Sequence, residues 1–311
     1  MKKLLSISIL LIFAVSAHAL EFLCGQYGDT GDQKNVKWST CIWTNSLVFK
    51  VKPLPSKPGP NDAVTVRHGG HVLTVDVNPE VKSLRVGDSS TLVADKRNIR
   101  VKQSFFLPIT RKDQLTLAEI KNSTVDVRGS LEYSVWHKYM NAGAAELRLE
   151  NTKMKVKGDL RAILAVNPNY NCDTKAGFEI TLIGNSVLEF GGGALLDSII
   201  KDDPAHWYCK FKFIVKNGMA PMLVFDKDAE IKSADIDVEV QGDLKTGSYV
   251  LAEFAQKKSG FTSVRSVKFN GKSYTLGSEI PLGKNKAVLK IAASPKDRGS
   301  KIENDLVLEV K

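Results

Sequence analysis

Several patterns that would assign a function directly are missing from this sequence. Its four cysteines include no C-x-x-C pair, which argues against a structural zinc site. It has no basic strand interleaved with aromatic residues, so nucleic-acid binding is not expected. No apolar stretch after the first nineteen residues is long enough to cross a membrane. Long amphipathic helical patterns are also missing, and the best helical candidate is the short segment 194–201.

The first nineteen residues have the composition of a secretion signal. Lys2 and Lys3 precede an apolar run over residues 4–15, and Ala17-His18-Ala19 matches a cleavage pattern. We therefore expect a mature chain that begins at Leu20 and has no transmembrane anchor. It would be secreted to the extracellular space, or to the periplasm if the host is Gram-negative. The oligomeric state is not indicated by any pattern in the sequence.

Basic residues outnumber acidic ones. The chain has 44 lysines and arginines against 34 acids, and removal of Lys2 and Lys3 leaves 42 against 34, a net charge of +8. Such a surplus favours contact with an acidic polysaccharide or another cell-surface polymer. Lysines that are spread along a chain, as these are, are also typical of an ordinary solvated surface.

All four cysteines lie in the predicted mature part. An even number in an exported chain favours disulfides, and four cysteines allow three pairings. The shortest closures join Cys24 to Cys41 and Cys172 to Cys209. Each would stabilise the fold by roughly 3–4 kcal/mol through the freedom that it removes from the unfolded chain.

Alternation of apolar and polar residues is the dominant signal, and it predicts strands with one buried face. A repeat accompanies it, with Ser123, Thr152 and Ser186 as equivalent positions. Apolar residues recur at four positions around these, and a glycine follows each after six residues. The aligned residues are Ile120, Leu149 and Ile183 at three before, Val125, Met154 and Leu188 at two after, Val127, Val156 and Phe190 at four after, Gly129, Gly158 and Gly192 at six after, and Leu131, Leu160 and Ala194 at eight after.

A repeat of this kind predicts an all-β fold, a right-handed parallel β-helix. One copy cannot bury its apolar face alone, and stacked coils share a continuous core. The recurrent glycine fits a corner that needs positive φ or close approach, and the hydroxyl residue fits another corner. The longer second interval predicts a loop over 167–177, which contains Cys172.

We predict four parts in the chain. Residues 1–19 form the signal peptide, and residues 20–60 form a disulfide-stapled N-terminal cap. The β-helix covers residues 61–246. Residues 247–311 form a C-terminal β region that either continues the coils or folds back as an antiparallel cap. Within it, Asn270-Gly271 predicts a hairpin turn.

The opening of the predicted helix carries a resemblance. It rests on the paired-tryptophan segment 38–43, the Pro-Gly turn and Asp62 before a valine-rich strand in 58–66, and Gly70-His71 before the next strand, with 83–87 continuing it. This stretch resembles secreted right-handed β-helix proteins, especially the G8-type module. The resemblance implies an extracellular β-helix, and proteins of this class commonly engage polysaccharides or act as adhesins. Some members cleave acidic sugars, but no catalytic motif of theirs carries over to these residues.

Two clusters of aromatic residues and histidines fall in predicted loops. Exposed aromatic faces beside polar groups can stack on sugar rings, although such residues also cover the ends of a core. We therefore predict six ligand-binding residues. They are Trp136, His137, Tyr139, His206, Trp207 and Tyr208.

No catalytic residue, metal ligand or cofactor site is predicted. His68 and His71 lack a third ligand. Asp235 and Asp237 share one face of a strand, but interleaved lysines favour ion pairs there over calcium. The outward residues of successive repeats predict a charge ladder that stabilises the coils. Its members are Asp126, Lys155 and Glu189.

We expect a secreted, non-enzymatic β-solenoid that acts by surface contact as an adhesin, a matrix component or a polysaccharide-binding protein. One alternative is a polysaccharide lyase or hydrolase on the same scaffold, and another is a self-assembling extracellular filament. Fold alone does not choose between them. A groove with clustered acids on one outer sheet would favour the enzyme, and a flat lysine-rich face would favour binding.

Overall fold

A computed structural model describes most of the chain. The described residues are 21–24, 35–44, 54, 56–66, 71–87, 89–108, 115–135, 144–164, 176–196, 207–256, 259–292 and 304–311. All regular elements within these ranges are β-strands, which confirms the predicted all-β class. A helix able to span a membrane is not found among these residues. The predicted signal peptide lies outside them.

The strands form three main sheets. Sheet A contains β1 (Glu21–Cys24), β3 (Ala63–Val66), β6 (Ser83–Val86), β9 (Phe105–Phe106), β12 (Leu131–Val135), β15 (Leu160–Leu164) and β18 (Ala194–Leu196). Sheet B contains β2 (Asn35–Lys37), β4 (Val72–Val75), β7 (Thr91–Asp95), β10 (Leu115–Lys121), β13 (Ala144–Glu150), β16 (Ala176–Ile183), β19 (Trp207–Lys216), β22 (Ala234–Gln241), β25 (Val264–Phe269) and β26 (Lys272–Tyr274). Sheet C contains β5 (Glu80–Val81), β8 (Asn98–Val101), β11 (Thr124–Val127), β14 (Lys153–Val156), β17 (Val187–Phe190), β20 (Met222–Phe225), β23 (Gly247–Phe254), β27 (Glu279–Leu282), β28 (Asn285–Ala292) and β29 (Asp305–Val310). Two short strands, β21 (Glu230–Ile231) and β24 (Gly260–Phe261), pair with each other.

Each central coil visits sheets B, C and A in that order. The coil β10–β11–β12 is followed by β13–β14–β15, and every strand pairs in parallel with its counterpart one coil later. Neighbouring coils are therefore hydrogen-bonded along all three sheets, at the spacing of about 4.8 Å that strand pairing imposes. This is a parallel β-helix, as the repeat predicts.

The predicted interior column exists. Val125 lies opposite Met154, and Met154 lies opposite Leu188, with all three side chains buried. One alignment is wrong by a residue, because Leu182 rather than Ile183 lies opposite Leu149. The turn between β16 and β17 contains Gly184 and Asn185, one residue more than the earlier turns, so a fixed count from Ser186 slips by one.

Hydroxyl residues build the corner between sheets B and C. The Ser123 backbone N–H donates to Thr152 Oγ1 at 3.2 Å, and the Thr152 N–H donates to Ser186 Oγ at 3.2 Å. Each hydroxyl thus satisfies a backbone donor of the preceding coil, which a sheet alone leaves unpaired at a corner. Asn122 and Asn151 precede these residues with φ of 48°, a conformation that asparagine tolerates better than most residues.

Glycines build the corner between sheets C and A. Gly158 N–H donates to the Gly129 carbonyl at 2.9 Å, and Gly192 N–H donates to the Gly158 carbonyl at 3.0 Å. A Cβ on Gly158 would lie 2.7 Å from the Gly129 oxygen. Close approach of successive backbones, rather than positive φ, therefore selects glycine at this corner.

The N-terminal end of the helix is closed by a disulfide and three aromatic rings. Cys24 in β1 is bonded to Cys41, as predicted. The Trp43 ring contacts the rings of Trp38 and Phe22 at centroid distances of 5.0 and 6.3 Å, and all three side chains are buried. A stapled aromatic cover of this kind shields the exposed end of a stacked core.

The C-terminal part both continues the coils and folds back. Strand β23 extends sheet C in parallel beyond β20, and β29 then pairs antiparallel with β23. Strands β25 and β26 form the predicted hairpin, in which Asn270 and Gly271 have φ of 47° and 79°. Two consecutive positive φ values are what a two-residue hairpin turn requires.

Two further predictions need correction. The helical candidate 194–201 begins in strand β18, where Ala194 lies opposite Leu160, and residues 197–201 lie outside the described residues. The predicted loop 167–177 overlaps strand β16 at Ala176 and Gly177, and its remaining residues lie outside the described ones as well. Stacking on an existing sheet A overrides the local helical pattern at Ala194.

Cys209 does not form the second predicted disulfide. This residue is a free thiol, fully buried in β19 with Phe178 and Ala234 as its neighbours on the adjacent strands. Period 2 directs it into the core, because Lys210 and Lys212 occupy the outward positions. Burial raises the pKa of the Cys209 thiol, which keeps it protonated and inert. Its predicted partner Cys172 lies outside the described residues.

Candidate functional site

The outer face of sheet B is covered by paired charges. Lys210 Nζ lies 3.2 Å from Glu179 Oε2 and 3.6 Å from Asp237 Oδ2, so one lysine joins acids of two neighbouring coils. Further ion pairs surround it. They are Arg148–Glu146, Lys216–Glu150, Lys212–Glu239 and Arg265–Asp235. These acids are therefore neutralised by cations of the same face, on the same strand or on a strand of a nearby coil.

Three acids of this face have lowered pKa values. A hydrogen bond from Lys216 lowers the pKa of Glu150. Hydrogen bonds from Gln241 and Lys212 lower the pKa of Glu239. Burial opposes ionisation of Asp235, but hydrogen bonds from Arg265 and Ser266 outweigh it and lower its pKa. A general acid needs the opposite shift, so these three carboxylates suit structural ion pairs.

The outer face of sheet C is different, because cations dominate three successive coils. Alternation in β14 points Lys153 and Lys155 outward, and Lys157 continues the same row. The neighbouring coils add further cations at the equivalent positions. We call this set the cationic face, and it consists of Arg100, Lys102, Arg128, Lys153, Lys155 and Lys157.

The predicted charge ladder runs through this face and is confirmed. Asp126 lies opposite Lys155, and Lys155 lies opposite Glu189 on the next coil. Lys155 Nζ is 2.7 Å from Glu189 Oε1, and this hydrogen bond raises the pKa of Lys155. The ladder therefore joins two coils through the Lys155–Glu189 ion pair, as expected for a stabilising feature, with Asp126 on the preceding coil.

Half of the cationic face has no acidic partner within the described part of the chain. Arg100 and Lys102 lie 3.8 and 3.4 Å from Glu80. By contrast, Arg128, Lys153 and Lys157 are exposed and form no ion pair with any residue that the structure describes. Unpaired cations on a rigid sheet are free to contact an anionic ligand.

An open groove of about 750 Å³ borders the cationic face at the corner between sheets B and C. Its amide groups belong to Asn98, Asn122, Asn151 and Asn185, and its hydroxyl groups to Ser123, Thr124 and Thr152. Its cations are Lys96, Arg97 and Lys153, and Met219 lies at one end. The described lining of the groove contains no carboxylate.

The amides of this groove form a ladder from coil to coil. Asn122 Nδ2 donates to Asp95 Oδ1 at 2.9 Å, and Asn151 Nδ2 approaches Asn122 Oδ1 at 3.4 Å. Thr124 Oγ1 donates to Asn98 Oδ1 in the same region. These contacts fix one amide on each successive turn, so the groove presents a regular row of donors and acceptors.

The predicted aromatic ligand-binding residues are only partly described. Tyr208 is half-buried in β19 and packs against Gly177, where a Cβ would lie 2.7 Å from the Tyr208 ring. Burial is the main cause that raises the pKa of Tyr208. Trp207 begins β19, but its side chain is outside the described part. The other four residues of the prediction also lie outside it, namely Trp136, His137, Tyr139 and His206.

The metal patterns considered in the sequence are described only in part. His71 is buried, and His68 lies outside the described residues. Asp235 is bound by Arg265, and Asp237 by Lys210. Over the described ranges, no group of three or more histidines, cysteines and acids could hold a metal ion.

Sequence reasoning missed both the groove and the cationic face, although signals for them exist. An asparagine directly precedes each repeat origin, at positions 122, 151 and 185, and lysines alternate at 153, 155 and 157. Comparisons of this chain with protein-family models, curated proteins and solved structures found no match. The functional argument therefore depends on the sequence and the geometry of this molecule.

Proposed function

We propose that this protein is a secreted, non-enzymatic β-helix that binds an acidic polysaccharide by surface contact, as an adhesin or matrix component would. The observation that carries the proposal is the cationic face of sheet C. Its unpaired members are Arg128, Lys153 and Lys157, and Lys153 also lines a groove of amides and hydroxyls. Cations attract the acid groups of such a polymer, and amides match its hydroxyl groups.

Secretion is supported by two features. Cys24 and Cys41 form a disulfide, and disulfides persist mainly in oxidising compartments. The segment from Trp38 to Asp76 resembles the opening of G8-type modules, which implies an extracellular β-helix.

Binding without cleavage is supported by the state of the acids on sheet B. A polysaccharide lyase or hydrolase needs a carboxylate or base held at a suitable pKa and open to its substrate. Glu179 and Asp237 are engaged by Lys210 instead, and the pKa values of Glu150, Asp235 and Glu239 are lowered. These acids hold neighbouring coils together.

A single-molecule binder is also favoured over a filament by the strand edges. Thr44 forms a bridge with Leu23 outside sheet A, on the free side of β1. Pro281 lies in β27 at the end of sheet C, where it lacks an N–H to offer another strand. Both features leave fewer free backbone groups at the strand edges, so they disfavour stacking of one molecule on the next.

The test is a glycan array with the mature protein, followed by a reducing-end release assay on each ligand found. We expect binding to acidic glycans without release of new ends. The triple variant R128Q/K153Q/K157Q should bind about a hundredfold more weakly. Each of its three lost cations removes about 1 kcal/mol of attraction to a ligand charge about 4 Å away in water.

A matched control removes the same charge elsewhere. Lys268, Lys272 and Lys284 are exposed and form no ion pair with a described residue, so K268Q/K272Q/K284Q should bind as the wild type does. Equal loss in both triple variants would mean that net charge, and not this face, governs binding. Release of unsaturated ends from the glycan would overturn the non-enzymatic proposal and show a lyase.

A further inference from the structure

We infer that the groove between sheets B and C is a carbohydrate subsite that holds one polysaccharide chain along the helix axis, with about one sugar residue per coil. The inference rests on the proposed function and narrows its ligand. The cationic face alone would accept any polyanion. The groove would select a linear acidic polysaccharide, whose sugars present hydroxyl groups as well as acid groups.

The direction of the groove follows from the positions of its lining residues. Lys96, Asn122, Asn151, Asn185 and Met219 occupy the equivalent turn after sheet B in five successive coils. At a coil spacing of about 4.8 Å, the groove extends about 19 Å along the helix axis. The spacing is comparable to the length of one sugar residue in an extended chain, so ligand and protein can remain in register.

The chemistry of the lining distinguishes sugars from other polyanions. An asparagine amide offers two N–H donors and an acceptor oxygen. Asn122 uses one N–H on Asp95 and Asn151 directs one toward Asn122, so each keeps a second N–H with no acceptor among the described residues. Sugar hydroxyls both donate and accept hydrogen bonds, whereas phosphate or sulfate oxygens mainly accept them. Asn122 Oδ1 and Asn151 Oδ1 each accept one hydrogen bond and keep a second lone pair, so they can accept from sugar hydroxyls as well, which phosphate oxygens cannot offer.

The cations of the groove lie in its first and third coils, and apolar surface lies in its fifth. Lys96 and Lys153 form no ion pair with a described residue, and Arg97 is held by its Nε, which donates to the Val75 carbonyl at 3.2 Å. Met219, with 42% of its surface exposed, lies at the far end. The cations suit the acid groups of the ligand, and the thioether suits the apolar face of a sugar ring.

The variant that tests the groove is N122G/N151G. Both residues have φ of 48°, and Gly184 takes a positive φ of 67° in the turn of the following coil, so glycine removes the amides without backbone strain. The matched control is N217G/N270G, because these asparagines have φ of 52° and 47° and do not line the groove. Thermal melts of all variants check that the fold is kept.

The measurement is calorimetric titration of the mature protein with oligogalacturonates from dimer to octamer and with inorganic polyphosphate of matched charge. We expect affinity to rise with each added sugar up to about five residues, the number of coils in the groove, and then to level off. N122G/N151G should bind the longer oligogalacturonates about tenfold more weakly, since a net hydrogen bond contributes about 0.5–1.5 kcal/mol. Its affinity for polyphosphate should fall less, because phosphate oxygens can use only the N–H groups of these amides.

The outcomes separate this inference from the proposed function. If polyphosphate binds as tightly as oligogalacturonate, or if N122G/N151G and N217G/N270G behave alike, the groove does not select sugars and the inference is wrong. In either case, weaker binding by R128Q/K153Q/K157Q would still support the cationic face as the contact surface. If neither oligogalacturonate nor polyphosphate binds at low salt, the proposed function itself fails.

Discussion

The outer faces of sheets B and C are both rich in charge, but they use it differently. On sheet B, acids and bases of neighbouring coils alternate, and Lys210 alone joins Glu179 to Asp237. On sheet C, the coils that contain β8, β11 and β14 present mostly cations, and Arg128, Lys153 and Lys157 have no acidic partner among the described residues. The same coil geometry therefore supports a neutral face and a positive one.

The difference separates stability from binding. A half-buried ion pair has already lost part of its water and holds two coils together, so it has little left to offer a ligand. An exposed, unpaired lysine contributes almost nothing to folding and keeps its full attraction for an anion. Changes on sheet B should therefore affect stability, and changes on sheet C should affect binding.

The largest expected effect on stability is that of K210Q. Side-chain exposure is 28% for Lys210 and 22% and 15% for its partners, which is between a surface pair and a buried one. Removal of the lysine leaves Glu179 and Asp237 without their shared cation. We expect a loss of about 2 kcal/mol in the free energy of unfolding, measured by urea titration, with no change in glycan binding.

The paired control is K153Q, which removes the same charge from sheet C. It should change the free energy of unfolding by less than about 0.5 kcal/mol, because exposed side chains without partners rarely contribute more. It should weaken glycan binding instead. Similar unfolding curves for K210Q and K153Q would show that the two faces do not differ in the way described.

Ionic strength should also distinguish the face that binds from the face that stabilises, with a smaller effect than K210Q. Salt screens exposed charges more strongly than half-buried pairs. A rise in salt from about 50 to about 200 mM should weaken binding to an acidic glycan about tenfold, as release of counterions from a polyanion predicts. The free energy of unfolding should change little over this range. A salt-independent affinity would mean that the cationic face is not the contact surface.

Much of the fold could be predicted because two simple regularities act together. Alternation fixes which residues point inward, and the repeat fixes which inward residues stack, so Val125, Met154 and Leu188 were correctly aligned. The count from Ser186 selects Ile183 instead of Leu182, because an extra turn residue shifts the count without changing the pattern. Cysteine number and spacing predict a disulfide at Cys209, whereas its alternation with Lys210 indicates the inward side chain that the structure has.

The candidate site was harder to predict than the fold. The alternating lysines of β14 are visible in the sequence, but their lack of partners depends on which residues the neighbouring coils place beside them. Prediction of the groove requires the register of five successive coils at the corner between sheets B and C. Such contacts between distant residues follow from the stacked structure, and no local pattern reports them.

The smallest effect that separates the two faces is the dependence of stability on pH. The pKa values of Glu150, Asp235 and Glu239 on sheet B are lowered in the folded protein. In the unfolded chain, the pKa values are about 3.9 for aspartate and 4.3 for glutamate. The unfolded chain therefore binds more protons than the folded protein between about pH 2 and 4. The stabilisation by these three carboxylates is complete above the pKa values of the unfolded chain. It is lost as the pH falls through the lowered pKa values of the folded protein.

The double variant K216Q/R265Q removes the partners of Glu150 and Asp235, so its free energy of unfolding should depend less steeply on pH in this range. K153Q/K157Q is the control from sheet C, where the lysines stay charged throughout, and it should keep the wild-type slope. Urea titrations at closely spaced pH values measure both slopes. If K153Q/K157Q flattened the slope as much as K216Q/R265Q does, Lys153 and Lys157 would form ion pairs with acids in the folded protein. They could then not be the unpaired charges that contact a ligand.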